Sequence, residues 1–153
     1  MNRIVFRYAD VMLERAEALV QLNDGRIAEA IAIVNRLRTR AKQSLSVISD
    51  YENRYGVRMN VGTYAGTYNQ AQALKIVKME RRIELGMESE RFFDLVRWGE
   101  ADSVINKYYA EEANDCSIYS AARFTKNKKE SLPIPHAQIA ASNGHYTQNI
   151  GEW

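Results

Sequence analysis

Apolar residues recur at steps of three and four over residues 5–22. Val5, Tyr8, Ala9, Met12, Ala16, Leu19 and Val20 fall on one face, which predicts an amphipathic helix. "NDG" at 23–25 is a stop signal, because Gly25 tolerates a left-handed backbone. A second stripe of Ile27, Ile31, Val34, Leu37 and Ala41 predicts a helix over about 26–43. Two helices joined by so short a turn must lie antiparallel. Small residues at Ala9, Ala16 and Ala30 permit close packing between them. Arg36, Arg38, Arg40 and Lys42 crowd the last turns of the second helix, where cations favour the helix dipole. A solvated basic helix end is expected there rather than an anion site.

The pattern then fails over residues 44–69, which are rich in Ser, Asn, Gly and Tyr. This stretch reads as a long loop with a helical turn near 48–54, and long loops in compact domains are often functional. Tyr51, Tyr55, Tyr64 and Tyr68 either offer rings to a ligand or pin the loop to the helices. Periodicity resumes at Ala73, Ile76, Met79, Ile83 and Met87, predicting a third helix over about 70–87 that Gly86 weakens near its end. A fourth is expected over about 89–109 with Phe92, Leu95, Val96 and Ile105 inward, bent or divided at Gly99. Beyond residue 110 the signals are irregular. Lys126–Glu130 is a solvated charge run, Pro133 and Pro135 force an extended segment, and a brief helical turn fits 136–141.

The expected architecture is all-α. It is one domain over 1–153 with a helix pair at 1–43, a loop at 44–69, a second helix pair at 70–109 and an irregular tail at 110–153. The helix–turn–helix spacing of the first pair is tetratricopeptide-like, although no clear second copy of such a repeat is found.

Composition narrows the class. The chain has 153 residues, 46% hydrophobic and 26% charged, which suits a globular domain with a real core. A net charge of +2 is too small to imply a nucleic-acid partner. Cys116 is the one cysteine, so neither a disulfide framework nor a cysteine-based zinc site forms within the chain. No apolar run approaches the roughly 20 residues of a membrane helix. The start enters an amphipathic pattern at once, without the apolar stretch of a signal peptide, and reads as a cut into a longer protein.

Residues 78–99, "KMERRIELGMESERFFDLVRWG", interleave acids, arginines and aromatics. Glu80, Glu84 and Glu88 share a helix face, Arg81 lies three residues from Glu84, and Asp94 lies three from both Arg91 and Arg97. These are helix-neighbour spacings that predict local ion pairs. A glycosidase needs two carboxylates flanking the scissile bond, which acids along one helix face do not provide. No Ser-His-Asp set or phosphate-binding glycine loop accompanies them. His136 and His145 are spaced unlike a metal pair on one helix, and no metal or cofactor is expected. Arginines matched by acids do not form the unopposed basic groove that nucleic acid needs. Arg81, Glu84, Glu88, Arg91, Asp94 and Arg97 therefore read as a structural network, with aromatic rings excluding water around it.

Three blocks together resemble the SusD/RagB family. They are "RYADVMLERAEALVQLND" at 7–24 with "AIAIVNRLRTRA" at 30–41, "ERRIELGMESERFFDLVRWG" at 80–99, and "LPIPHAQIAASNGHYTQNIGEW" at 132–153. The resemblance implies a helical, tetratricopeptide-like scaffold from the C-terminal region of a longer, non-catalytic nutrient-binding protein. Family members are lipoproteins on the outer face of the bacterial outer membrane. They bind polysaccharide or oligosaccharide and pass it to a TonB-dependent transporter of the SusC type. The lipid-bearing cysteine of such proteins lies near the mature N-terminus, and Cys116, deep in the chain, does not stand in for it. Membrane attachment would belong to the full-length parent, with this portion itself soluble. No motif of the family carries a ligand-contacting residue onto this chain.

Sugar binding without catalysis needs aromatic platforms and polar groups on a concave surface. Tyr64, Tyr68 and Asn69, among small and polar neighbours, are the first candidates, and Tyr108 with Tyr109 the second. Two other classes remain open. A tetratricopeptide-like interaction module predicts an open polar groove. A carbohydrate-active enzyme predicts two carboxylates facing a cleft.

Overall fold

The structure, a computed structural model, describes residues 6–44, 53–54 and 60–149. Val5, Tyr51 and Tyr55 lie outside these residues, as does most of the helical turn expected near 48–54, within which Asn53 and Arg54 are helical. Among the described residues there are α-helices and one 3-10 helix but no strand, so the fold is all-α. The chain forms two compact units, Met1–Ser89 and Glu90–Trp153.

The first unit packs α1 (Tyr8–Leu22), α2 (Ile27–Gln43) and α3 (Gln70–Glu84), each against the other two. α1 ends at Asn23, whose φ of 50° is left-handed, and Gly25 repeats that turn at 91°. Ala16, Ala30 and Ala73 are fully buried where the helices approach. Among the described residues Leu13, Val20, Val34 and Val77 are the largest fully buried side chains, each worth about 1.5–3 kcal/mol of transfer free energy. Tyr8, expected inward, opens α1 and stays exposed.

α3 departs further from its apolar pattern. It ends at Glu84 rather than 87, and of the expected stripe Ala73 is buried and Ile76 half-buried. Met79, Ile83 and Met87 are 47%, 59% and 104% exposed, while Val77, Glu80 and Arg81 turn inward instead. The apolar periodicity misreads this helix because its last turns meet charged partners rather than hydrocarbon. Its start is well defined. Asn69 Oδ1 accepts from the Gln72 backbone N–H at 2.9 Å, and Gln72 Oε1 accepts from the Asn69 N–H at 3.0 Å. This reciprocal cap satisfies two otherwise orphaned donors. Gln70 Nε2 donates to the Val20 carbonyl at 3.0 Å, closing a free carbonyl at the end of α1.

The second unit carries α4 (Glu90–Arg97), α5 (Ala101–Glu112), a 3-10 helix (Ser117–Ala121) and α6 (His136–Ala141). Residues 70–109 thus hold three helices, not a pair. The division falls at Gly99, as its sequence position suggested. With φ at 68°, Gly99 donates to Val96 O at 3.0 Å and Glu100 donates to Leu95 O at 2.8 Å, a Schellman ending. Leu95, Ala101 and Phe124 form a small core with Val96, Trp98 and Ile105 packed around it. Phe92 is more exposed than expected, with its ring against Phe93 and Phe124.

Three side-chain amides hold irregular segments in the same way. Asn35 Nδ2 donates to Tyr64 O at 2.8 Å while its Oδ1 accepts from Tyr64 N at 2.7 Å. Asn106 grips Phe124 through both backbone groups at 3.0 and 2.8 Å. Gln148 does the same to Ile134, at 3.0 and 2.8 Å. Each amide imitates one rung of a strand ladder and satisfies a donor and an acceptor that no helix serves. Asn35→Ala strips both partners from Tyr64. It is expected to lower stability by about 1–3 kcal/mol in urea unfolding, whereas Lys107→Ala, at an exposed helix position, changes it by less than about 0.5 kcal/mol.

Candidate functional site

The interior of the first unit is charged as well as apolar. Asp10 on α1 and Arg81 on α3 meet at 2.9 Å, and both side chains are less than a tenth exposed. Arg38 on α2 reaches Glu80 on α3 at 2.9 Å. Glu84 receives Arg7 at 2.6 Å and also Arg40, and Arg7 extends to Glu88 at 2.7 Å. These pairs join three helices, where the sequence spacing pointed to neighbours along one helix. The basic end of α2 is solvated as expected at Arg36, Arg40 and Lys42, which are exposed although Arg40 also reaches Glu84, and Arg38 is the exception. Arg38 also donates to the Gly62 carbonyl and lies 5.1 Å over the Tyr64 ring, so it ties α2, α3 and the loop together. The signal for Asp10 was present in the sequence. Asp10 and Glu17 stand seven residues apart beside the apolar stripe, and both are buried.

Burial raises the Glu80 carboxyl above its ordinary value, and the bond from Arg38 only partly offsets this. Perturbed carboxyls mark candidate catalytic sites. Glu80, however, is 3% exposed on the inner face of α3 and lies outside the lining of the cavity beside Arg7 and Arg40. Bonds from Glu88 and Glu84 hold the Arg7 guanidinium more firmly in its charged form.

In the second unit, Asp94 is 3% exposed and bonded by Arg97 at 2.9 Å, which is the local pairing the spacing predicted. Arg97 lies 4.9 Å and Arg91 5.7 Å from the centre of the Trp98 ring, so that ring is covered by cations rather than open for stacking. A carbohydrate-active enzyme would draw on the acids between residues 84 and 94, and there Glu84, Glu88 and Asp94 each hold an arginine. Asp94 is buried as well, while the Glu84 side chain is 9% and the Glu88 side chain 40% exposed.

The described part of the tyrosine loop, residues 60–69, carries two of its rings. Tyr64 and Tyr68 are half-buried and meet edge to face at 6.3 Å. Asn35 anchors the Tyr64 backbone, and Tyr68 donates its hydroxyl to Ala65 O at 3.0 Å. Asn69 serves α3 as its cap through Oδ1, and its Nδ2 has no partner among the described residues. Capping was legible in the "NQAQ" sequence, an Asn followed three residues later by Gln. Tyr108, Tyr109 and Tyr119 form a second aromatic group, with Tyr109 and Tyr119 stacked at 5.8 Å. A bond with Tyr119 raises the Tyr108 phenol above its usual range. Among the described residues no group of His, Cys, Asp and Glu is placed to hold a metal, and no helix is long and apolar enough to cross a membrane.

Comparison with known proteins places this helical scaffold. The SusD family model matches residues 1–153, and the chain belongs to that family. It is 28% identical over 150 residues to SusD-like protein P2 of Formosa agariphila, a match covering 98% of this chain and 26% of that protein. It is 36% identical over 107 residues to SusD-like protein P38 of the same organism, covering 68% of this chain and 18% of that protein. The chain thus spans about a quarter or less of the length of these curated relatives.

The buried pairs predict their own test. Arg81→Met leaves Asp10 charged inside the bundle and is expected to cost about 3–5 kcal/mol in chemical denaturation. Asp10→Leu combined with Arg81→Met should lose less than the sum of the single changes, because the pair is removed together. Glu80 makes a pH prediction. Its folded-state value lies above the ordinary 4.5, so the folded chain holds this proton more tightly than the unfolded chain does. The stability that this proton contributes is present below the ordinary 4.5 and is lost as pH rises through the higher folded value. Glu80→Gln should flatten the stability profile in that window, measured by unfolding midpoints across weakly acidic pH.

Proposed function

We propose that this chain is part of a non-catalytic component that captures oligosaccharide at the cell surface and passes it to a TonB-dependent transporter of the SusC type. The chain serves mainly as scaffold. The observation that carries this reading is the match to the SusD family along all of residues 1–153. On this reading the full-length protein is a lipoprotein on the outer face of the outer membrane. The non-catalytic assignment draws support from Glu84, Glu88 and Asp94, each of which is engaged by an arginine.

Within this scaffold we assign sugar contacts to Tyr64, Tyr68 and Asn69. The two rings are partly open, and the Asn69 amide keeps a donor available while its oxygen caps α3. Arg38 and Asn35 hold the loop that presents them, so the rings lose little freedom on binding. The ion pairs of Arg81, Glu84, Glu88, Asp94 and Arg97, with Arg91 against the Trp98 ring, act as structural supports, and no cofactor enters this function.

Affinity electrophoresis through gels loaded with a panel of polysaccharides tests the reading. At least one polysaccharide should retard the chain. Tyr64→Ala or Tyr68→Ala should then weaken retardation by about two- to tenfold, the worth of one aromatic contact. No retardation by any polysaccharide, with no capture by a SusC-type transporter, would overturn it.

A further inference from the structure

The first unit contains a cavity of about 660 Å³ whose lining includes Arg7, Tyr8 and Met12 at the start of α1 and Arg36, Leu37 and Arg40 near the end of α2. That size lies within the range of about 300–1,000 Å³ for small-ligand sites. Met12 and Leu37 are buried and give the cavity an apolar floor, while Tyr8 is 68% exposed and supplies a ring at its wall.

The charges of this cavity do not cancel. Arg7 and Arg40 share Glu84, and Arg7 also holds Glu88, so two cations face two carboxylates. Arg36 has neither a hydrogen bond nor an ion pair among the described residues. Among the described residues one positive charge is left over, and it lies on the cavity wall beside an apolar floor. The negative end of the α2 dipole opposes an anion, but its influence fades within the last turn, and Arg36 lies about two turns back from Gln43. A bare inorganic anion would leave the floor and the Tyr8 ring unused. A neutral ligand would leave the guanidinium to water. The lining fits a ring with one apolar face and a single anionic substituent.

We propose that this cavity binds an acidic sugar residue, with its carboxylate or sulfate on Arg36 and its C–H face against Tyr8 and Met12. The sugar class rests on the nutrient-binding reading above, while the anionic preference rests on Arg36. A guanidinium fork grips a planar carboxylate through two N–H bonds, which a lysine does not reproduce. Because one charge is uncompensated, the site selects a singly charged residue and gains little from further anionic groups.

Isothermal titration of the whole chain tests this with three trisaccharides: galactotriose, its galacturonic acid counterpart and its 6-sulfated counterpart. At least one acidic trisaccharide should bind tenfold or more tightly than galactotriose. The stronger of the two identifies the anion as uronate or sulfate. Arg36→Gln, at an exposed position, should bring acidic binding down to the neutral level with the fold unchanged by circular dichroism. Arg36→Lys should retain only part of the preference, and Tyr8→Ala should weaken binding of acidic and neutral sugars alike. Equal affinity for acidic and neutral sugars, or an acidic preference that survives Arg36→Gln, would overturn the assignment. Should neutral polysaccharides still retard the chain in that case, the nutrient-binding reading stands and only the acidic site falls. If no trisaccharide binds, no polysaccharide retards the chain and no SusC-type transporter captures it, both fall together.

Discussion

The third helix buries charge where a helix ordinarily buries hydrocarbon. Beyond Ala73 and Val77 its inner face continues as Glu80 and Arg81, each 3% exposed. A lone charge at such a depth costs several kcal/mol, so α3 docks only where Asp10 and Arg38 come to meet it. A slip by one turn, about 5.4 Å, would break both pairs at once. The pairs therefore set the register of the three helices more than they add to net stability. They also explain the outer surface. Turning Glu80 and Arg81 inward carries Met79 and Ile83 to the outside.

A second constraint governs the segments that are not helical. Backbone groups in loops need partners, and here side-chain amides provide them at Tyr64, Phe124 and Ile134. The loop ahead of α3 is held three ways: Asn35 grips its backbone, Arg38 covers the Tyr64 ring, and Asn69 begins the helix that follows. The two readings of the tyrosines, as pins for the loop or as rings for a ligand, are thus compatible. The backbone of Tyr64 does the pinning while part of its ring stays open.

Membership of the SusD family and the distribution of charge point the same way about function. Glu80, Glu84, Glu88 and Asp94 of the 80–99 block each hold an arginine, so the block reads as architecture. Binding is then proposed for surfaces that this architecture presents: the tyrosine loop and the cavity beside Arg36. Both lie in the first unit, where three mutually packed helices provide the base.

Much of the secondary structure was legible in the sequence. α1 and α2 followed from apolar spacing, the stop at residues 23–25 from Asn and Gly, the division at Gly99 from its backbone freedom, and α6 from the signals after Pro135. The order of three sequence blocks was enough to indicate the family. These are local properties, carried by spacing, turn chemistry and motif. The partners of the charges were not legible in the same way. Arg81 finds Asp10 across 71 positions of sequence, and Arg38 finds Glu80 across 42. Spacing along one helix says nothing about such distant neighbours, and a hydrophobic stripe cannot announce a face built from paired ions. Only the tertiary structure decided which side of α3 is buried, because that choice depends on complementary charges from two other helices.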